Sequence, residues 1–460
     1  MPAALLPSST DDYAEFTGEQ LALETSERVR AIVRGSKIIG GRVRNGAQCF
    51  LSECSDEQSA CFSADPWLAD VPYALPVPRW TDAQPLPADW SYEEREYVAD
   101  GLYCAQPQRE YSTVPIRDRC GLGEPTDTPF FADIYIPSHV DLSRAESYDL
   151  PVKVFVHGGF LQFGSTSGNN YNQQAYAAEV RNEVRVLLGH RVSVLGFLAA
   201  SSPNVDGNYG FKDALLGLEW VRDHVKSFGG DPQNVHLSGL SGGGHVVAQL
   251  LHQAARRAPL PAPYRTATLY SNAILCDAAE LDSCQSQFDA LCLQLGLDPR
   301  ATDVLDALRA MPTKQLIAAV ERLGKHSTFR GTQGRDGWMQ ELVKFQSSPA
   351  FSRGLRAAGV ESVFVGEVSE ERAFYQQVHP AASTDELVPN LMRYYPEQEA
   401  RRLAATYPPL SKASSGAEID AHFGQVRPVI IQRISRTDAQ CRFLLMGRCT
   451  SRSASLRRTC

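Results

Sequence analysis

The feature that most constrains this chain is the stretch Val235-His236-Leu237-Ser238-Gly239-Leu240-Ser241-Gly242-Gly243-Gly244-His245-Val246-Val247. It reads as a short strand, a Gly-x-Ser-x-Gly turn centred on Ser241, and a helix whose apolar face begins with Val246, Val247, Leu250 and Leu251. A reversal that tight puts the serine into a strained backbone and brings its neighbours close, so Gly239 and Gly243 are wanted for their missing side chains. The layout is that of a nucleophile elbow: the hydroxyl stands clear of the sheet, beside the first N–H groups of the helix. The pentapeptide alone turns up by chance in roughly one chain in six of this length. The surrounding sequence therefore has to discriminate.

Composition narrows the field. With 460 residues, 43% hydrophobic and 21% charged, the chain reads as soluble and globular with a large core. A net charge of −8 gives no reason to expect nucleic acid as a partner, and no apolar run is long enough to cross a bilayer. Residues Met1 to Ser9 have no basic region and only a four-residue apolar run before Pro7, so a secretory signal is not expected and a cytoplasmic location is. The eleven cysteines lack CxxC pairs and histidines at metal spacing, which argues against zinc. Cys104 and Cys120 are the pair able to close a disulfide in an exported protein; free thiols are the other reading.

Residues before about Asp149 are rich in Pro, Ser, Asp and Glu, with short apolar runs at Val29 to Val33, Lys37 to Ile39 and Ala132 to Ile136. These predict hairpins and edge strands. The stretch from Trp67 to Trp80 is too proline-punctuated for regular structure and is expected to form an ordered surface loop. Val152 to Val156 is a β-branched run that leads into His157-Gly158-Gly159-Phe160-Leu161-Gln162-Phe163-Gly164. A glycine pair directly after a buried strand lets backbone N–H groups point into a cleft, as an oxyanion hole requires. Val184 to Val194 reads as the next strand. Leu215, Leu218, Val221, Val225 and Phe228 recur at helical spacing, and Gly229-Gly230 stops that helix. Strand, helix, strand, elbow, helix is an alternation that implies a mostly parallel sheet covered on both faces.

From about Trp67 to Tyr375 the chain resembles the type-B carboxylesterase family, the cholinesterase-like branch of the α/β-hydrolases. The similarity rests on Val71-Pro72-Tyr73-Ala74, His157-Gly158-Gly159-Phe160, His190-Arg191-Val192 with Leu195-Gly196-Phe197-Leu198, Gly207-Asn208-Tyr209-Gly210, Glu219-Trp220-Val221, Phe228-Gly229-Gly230-Asp231-Pro232 and the elbow, in the family's order. The resemblance implies an α/β-hydrolase fold acting on a small-molecule ester, with neither metal nor diffusible cofactor. It makes Ser241 the nucleophile of an acyl-enzyme and the amides of Gly159, Phe160 and Gly242 the oxyanion hole. Where Phe160 stands the family usually has a third glycine; only the backbone N–H is needed, so the role survives if the residue can adopt the required φ. Leu240 stands where many relatives carry Glu or Gln, and Pro129 where the family commonly has a disulfide cysteine. The stretches Tyr264 to Leu275 and Glu361 to Gly366 match strands, and Phe288 to Cys292 and Val304 to Leu308 match helices lining the substrate pocket. The triad acid maps to Glu371, with Glu367 and Glu370 as neighbouring alternatives.

Triad order in this fold is nucleophile, acid, histidine. Beyond Glu371 only His379 and His422 occur, and neither sits in a segment like the family's histidine motif. From Val426 to Cys460 the composition changes: eight Arg against the single acidic Asp438, and three cysteines. The expected organisation is a carboxylesterase-like unit over residues 1–425 and a basic tail over 426–460. Three readings of the tail stay open: an out-of-frame or intron-derived stretch, a truncation that leaves a non-catalytic protein, or a divergent ending with a base such as His379 recruited from elsewhere. Two functions follow: a serine carboxylic-ester hydrolase, or a silent relative that binds a partner or ligand through the same fold.

Overall fold

Short β-branched runs separated by amphipathic ones lay down a single large sheet. The computed structural model describes residues 28–33, 36–42, 48–50, 71–92, 102–107, 124–166, 171–271, 277–366, 383–392, 395 and 397–405. Ten strands form the sheet: β1 (Arg28–Val33), β2 (Ser36–Arg42), β3 (Gln48–Phe50), β4 (Val71–Pro72), β5 (Phe131–Ile136), β6 (Leu150–Val156), β7 (Val184–Leu188), β8 (Gly230–Leu240), β9 (Thr266–Tyr270) and β10 (Ser362–Gly366). Their order is β1-β2-β3-β5-β7-β6-β8-β9-β10, with β4 also pairing on β5. The half from β7 to β10 is parallel, and β1 to β5 join it antiparallel. The predicted hairpin over residues 29–39 is the β1/β2 pair.

Core strands carry the apolar load. Val152, Val154 and Val156 of β6 are sealed, as are Val184 and Val186 of β7 and Val235 and Leu237 of β8. Helices α1 (Tyr171–Arg181), α2 (Tyr209–His224) and α3 (Gly242–Arg257) connect or follow these strands, and α2 and α3 pack on β8. Beyond β9 come α4 (Leu281–Gln294), α5 (Val304–Ala310), α6 (Thr313–Arg322) and α7 (Pro349–Ala357), the last lying against α3. Arg79 ties the early loop to this region. Its guanidinium reaches Asp127 Oδ2 at 2.6 Å, Thr313 Oγ1 at 2.9 Å and the carbonyls of Leu308 and Met311 at 3.0 and 2.5 Å, satisfying the otherwise open end of α5.

Two sequence expectations need correction. The run from Val184 to Val194 is not one strand: β7 ends at Leu188, and Ser193–Phe197 is a short helical turn. Residues 186–197 are all buried, and a buried run has no periodicity that separates strand from helix. The Trp67 to Trp80 loop, where described, contains β4 and a second short strand, Ala74–Leu75, paired with Gln84–Pro85. Proline tolerates such edge pairs.

The Arg191 side chain, just after β7, makes a fully buried polar tie to α2. It forms a two-pronged pair with Asp213, Nε to Oδ2 at 2.8 Å and Nη2 to Oδ1 at 2.6 Å, and donates to Thr81 O at 2.9 Å. The rings of Phe130 and Tyr209 each lie 5.1 Å from the guanidinium carbon. Both partners are closed off from water, so Arg191→Ala strands a buried carboxylate and is expected to cost about 3–5 kcal/mol in urea denaturation. The double variant Arg191→Met/Asp213→Leu is expected to recover most of that loss. A single variant within about 1 kcal/mol of the parent would contradict this account.

Candidate active site

Strand β8 delivers the chain to Leu240, and α3 begins at Gly242. Ser241 at the junction has φ 55° and ψ −120°, a region sparsely populated by any residue with a side chain. Its neighbours permit this. A Cβ on Gly239 would overlap Gly243 O, and one on Gly243 would overlap Val156 O, so both positions demand glycine for close approach. Ser241 N donates to Tyr270 O at 2.8 Å and its carbonyl accepts from His245 N at 3.1 Å, fixing the turn at both ends. The serine is half-buried, and no side chain of the described residues hydrogen-bonds its hydroxyl.

The glycine turn after β6 comes up against this elbow. A Cβ on Gly158 would lie 2.8 Å from Leu240 O and 3.3 Å from Ser241 Cβ. A Cβ on Gly242 would lie 3.0 Å from both Phe160 N and Leu161 N. Gly159, Phe160 and Leu161 have φ of 118°, 58° and 66°. Phe160 thus adopts the left-handed conformation that a glycine would take more readily, with its side chain buried and 5.9 Å from the Phe163 ring. Phe160 N and Leu161 N of this turn lie against Gly242 in the first turn of α3, at the positive end of a sixteen-residue helix. Such a cradle stabilises negative charge that develops on an oxygen.

Around the turn the imidazoles are neutral. His157 and His190 stack with ring centroids 4.4 Å apart and planes 4° from parallel. Burial holds His157 down to about 3, with His190 pushing the same way, and burial holds His190 down to about 4. His245, one turn into α3, is held down to about 4 by burial and by the neighbouring Arg330 charge. Cys104, on the far side of this cluster, is a free thiol rather than half of a bridge; burial pushes it up to about 12, and its sulfur accepts from Val192 N at 3.3 Å.

The family's sequence profile, described as the carboxylesterase family, matches residues 63–346. This chain belongs to the carboxylesterase family. Relatives include an uncharacterized esterase/lipase of Schizosaccharomyces pombe, 29% identical over 316 residues that make up 64% of this chain and 56% of that protein. Para-nitrobenzyl esterase of Bacillus subtilis is 31% identical over 194 residues, 41% of this chain and 37% of that one. This carboxylesterase-family chain thus matches little more than half the length of its first relatives. A solved thermophilic para-nitrobenzyl esterase superimposes with a TM-score of 0.63 at 21% identity, over 86% of this chain and 74% of that one, which shows the α/β-hydrolase fold.

Of the residues singled out from the sequence, Ser241 and Gly242 form the strand-to-helix junction, and Phe160 N lies against Gly242, with Gly159 next to Phe160 in the chain. Strand β10 ends at Gly366, level with Tyr270 and so with Leu240 along the same sheet edge. Glu371, its neighbours Glu367 and Glu370, His379, His422 and the basic tail lie outside the described residues. Sequence reasoning missed Leu161, whose amide also faces Gly242, and the two glutamines that hold the turn. Gln162 is buried within it, and Gln106 pairs with Gly164 through both ends of its carboxamide, accepting from the amide at 2.5 Å and donating to the carbonyl at 3.3 Å. No periodicity or motif marks a carboxamide that pairs with a distant peptide.

Proposed function

We propose that this chain is a serine carboxylic-ester hydrolase that turns over a small organic ester through an acyl-enzyme on Ser241. The observation that carries the reading is the strained serine at the strand-to-helix junction, facing the amides of the glycine turn. The Ser241 oxygen attacks the ester carbonyl carbon while its proton passes to a general base, with Glu371 as the candidate triad acid. The carbonyl electron pair moves onto oxygen, where the amides of Gly159, Phe160 and Gly242 hold it. Collapse of that intermediate reforms the carbonyl and expels the alcohol, which takes up the proton. Water then repeats the sequence on the acyl-serine and releases the acid. Esterase relatives support the same chemistry by name.

Incubation with a fluorophosphonate probe, followed by peptide mapping, is expected to place the label on Ser241, and a short-chain nitrophenyl ester is expected to be hydrolysed. Protein that takes no label and turns over no ester would overturn the reading in favour of a silent binding protein on the same fold.

A further inference from the structure

Three consecutive residues with positive φ, two of them as bulky as Phe160 and Leu161, do not hold that shape unaided. Part of the restraint is backbone: Gln162 N and Phe163 N donate to Gly159 O at 2.8 and 3.1 Å, and Ser193 N donates to Leu161 O at 2.7 Å. Phe160 O, the carbonyl between the two left-handed residues, is held differently. It accepts from Gln162 Nε2 at 3.1 Å. The same carboxamide pairs with the Phe329 peptide as a strand would, Nε2 donating to Phe329 O at 2.5 Å and Phe329 N donating to Oε1 at 2.9 Å. Gln162 is 1% exposed, so these partners have no water to replace it.

The peptide joining Phe160 to Leu161 is planar, so fixing its oxygen fixes the direction of Leu161 N–H and with it ψ at Phe160, whose own N–H lies in the preceding peptide, held through Gly159 O. Both nitrogens face Gly242, beside Ser241. We propose that Gln162 is a positioning residue for the oxyanion hole, holding Phe160, one of its donors, in the left-handed conformation through the Phe160 carbonyl and anchoring the turn to the Phe329 segment. The proposal rests on the esterase reading of the site. It makes the hole's geometry depend on a carboxamide that touches no substrate.

A control lies next door. Gln287 donates to His326 O at 2.6 Å and Thr328 O at 2.9 Å, holding the same segment without reaching the glycine turn. The experiment compares wild type, Gln162→Ala, Gln162→Glu and Gln287→Ala by kcat and KM on nitrophenyl acetate, by phosphonylation rate with a fluorophosphonate, and by thermal melting. Gln162→Ala is expected to lower kcat and the phosphonylation rate about 30-fold to 100-fold with KM within about threefold, since a displacement near 1 Å in a reacting geometry costs that much. Gln287→Ala is expected to lower the melting temperature and leave kcat within about twofold. In Gln162→Glu the ionised carboxylate cannot donate to Phe160 O, whereas the protonated acid can. Its activity relative to wild type is therefore expected to rise as pH falls from about 8 to about 5.5.

Wild-type kcat in Gln162→Ala, a loss matched by Gln287→Ala, or a Gln162→Glu ratio flat in pH would each overturn the proposal while leaving the hydrolase reading intact. Where Gln162→Ala is not recovered folded, the Gln162→Glu ratio decides. Wild-type protein that is neither phosphonylated nor active overturns the hydrolase reading, and the proposal with it.

Discussion

Alanine in place of Ser241 is expected to lower kcat on a nitrophenyl ester by about 10⁴-fold or more, without unfolding the protein. In the proposed mechanism the hydroxyl supplies the bond-forming oxygen, so its loss removes the acyl-enzyme route altogether. What remains is the slow hydrolysis that binding and the amide cradle promote by themselves. The backbone carries a second, opposite signature. At φ 55° and ψ −120°, serine and alanine bear the same strain, and glycine bears little of it. Ser241→Gly is therefore expected to be about 1 kcal/mol more stable than Ser241→Ala in urea denaturation, although both are inactive. Kinetics and denaturation on the two variants check both halves. Turnover preserved in Ser241→Ala would place the nucleophile elsewhere, and equal stabilities would mean that the elbow is not strained.

The elbow was legible in the sequence because its geometry leaves few residue choices. Gly239 and Gly243 stand where a Cβ would strike backbone, and the β-branched runs at 152–156 and 184–188 have no role other than buried strands. Alternation of strand and helix then set the parallel half of the sheet. Less legible was anything carried by contact between distant segments. Gln162 meets Phe329 across 167 positions, and Arg79 closes α5 from more than two hundred positions away. Nothing local in either residue announces its partner. The run from 189 to 197 misled for a different reason: full burial erased the polar face that would have marked the change from strand to helix. Phe160 lies between these cases. Its departure from glycine was visible, but only the observed φ of 58° and its close approach to Gly242 show that a bulky residue occupies the turn.

Stability is expected to fall as pH is lowered from about 6.5 towards 4, through histidines that the native fold keeps neutral. His190 decides the sign. Burial holds it down to about 4 from an ordinary 6.5, outweighing the favourable contact of its Nδ1 with Arg191 O at 3.1 Å. Its Nε2 has no hydrogen-bond partner among the described residues. Between these two values the unfolded chain binds a proton that the native protein refuses, so stability rises with pH across the window. The contribution is complete above 6.5 and gone below 4, on the order of 3 kcal/mol for this fully buried ring. His157 and His245, held down to about 3 and about 4, act in the same direction. Besides His190, the His157 ring faces Gly158 O and Gly164, with Cys104 and Thr166 lining the same pocket, and none of these supplies a negative charge to offset protonation. His190→Phe keeps a ring stacked on His157 and removes one titrating nitrogen pair. Urea midpoints measured from pH 7.5 to 4.5 should therefore fall less steeply in His190→Phe than in the parent; identical slopes would mean that His190 is protonated at no cost in the native state. His157 directly precedes Gly158 and Gly159, but burial keeps its ring neutral down to about 3, below the window in which the fold loses stability. Loss of activity between 6.5 and 4 is therefore expected to track unfolding rather than precede it, which activity and near-ultraviolet circular dichroism measured on the same samples would check.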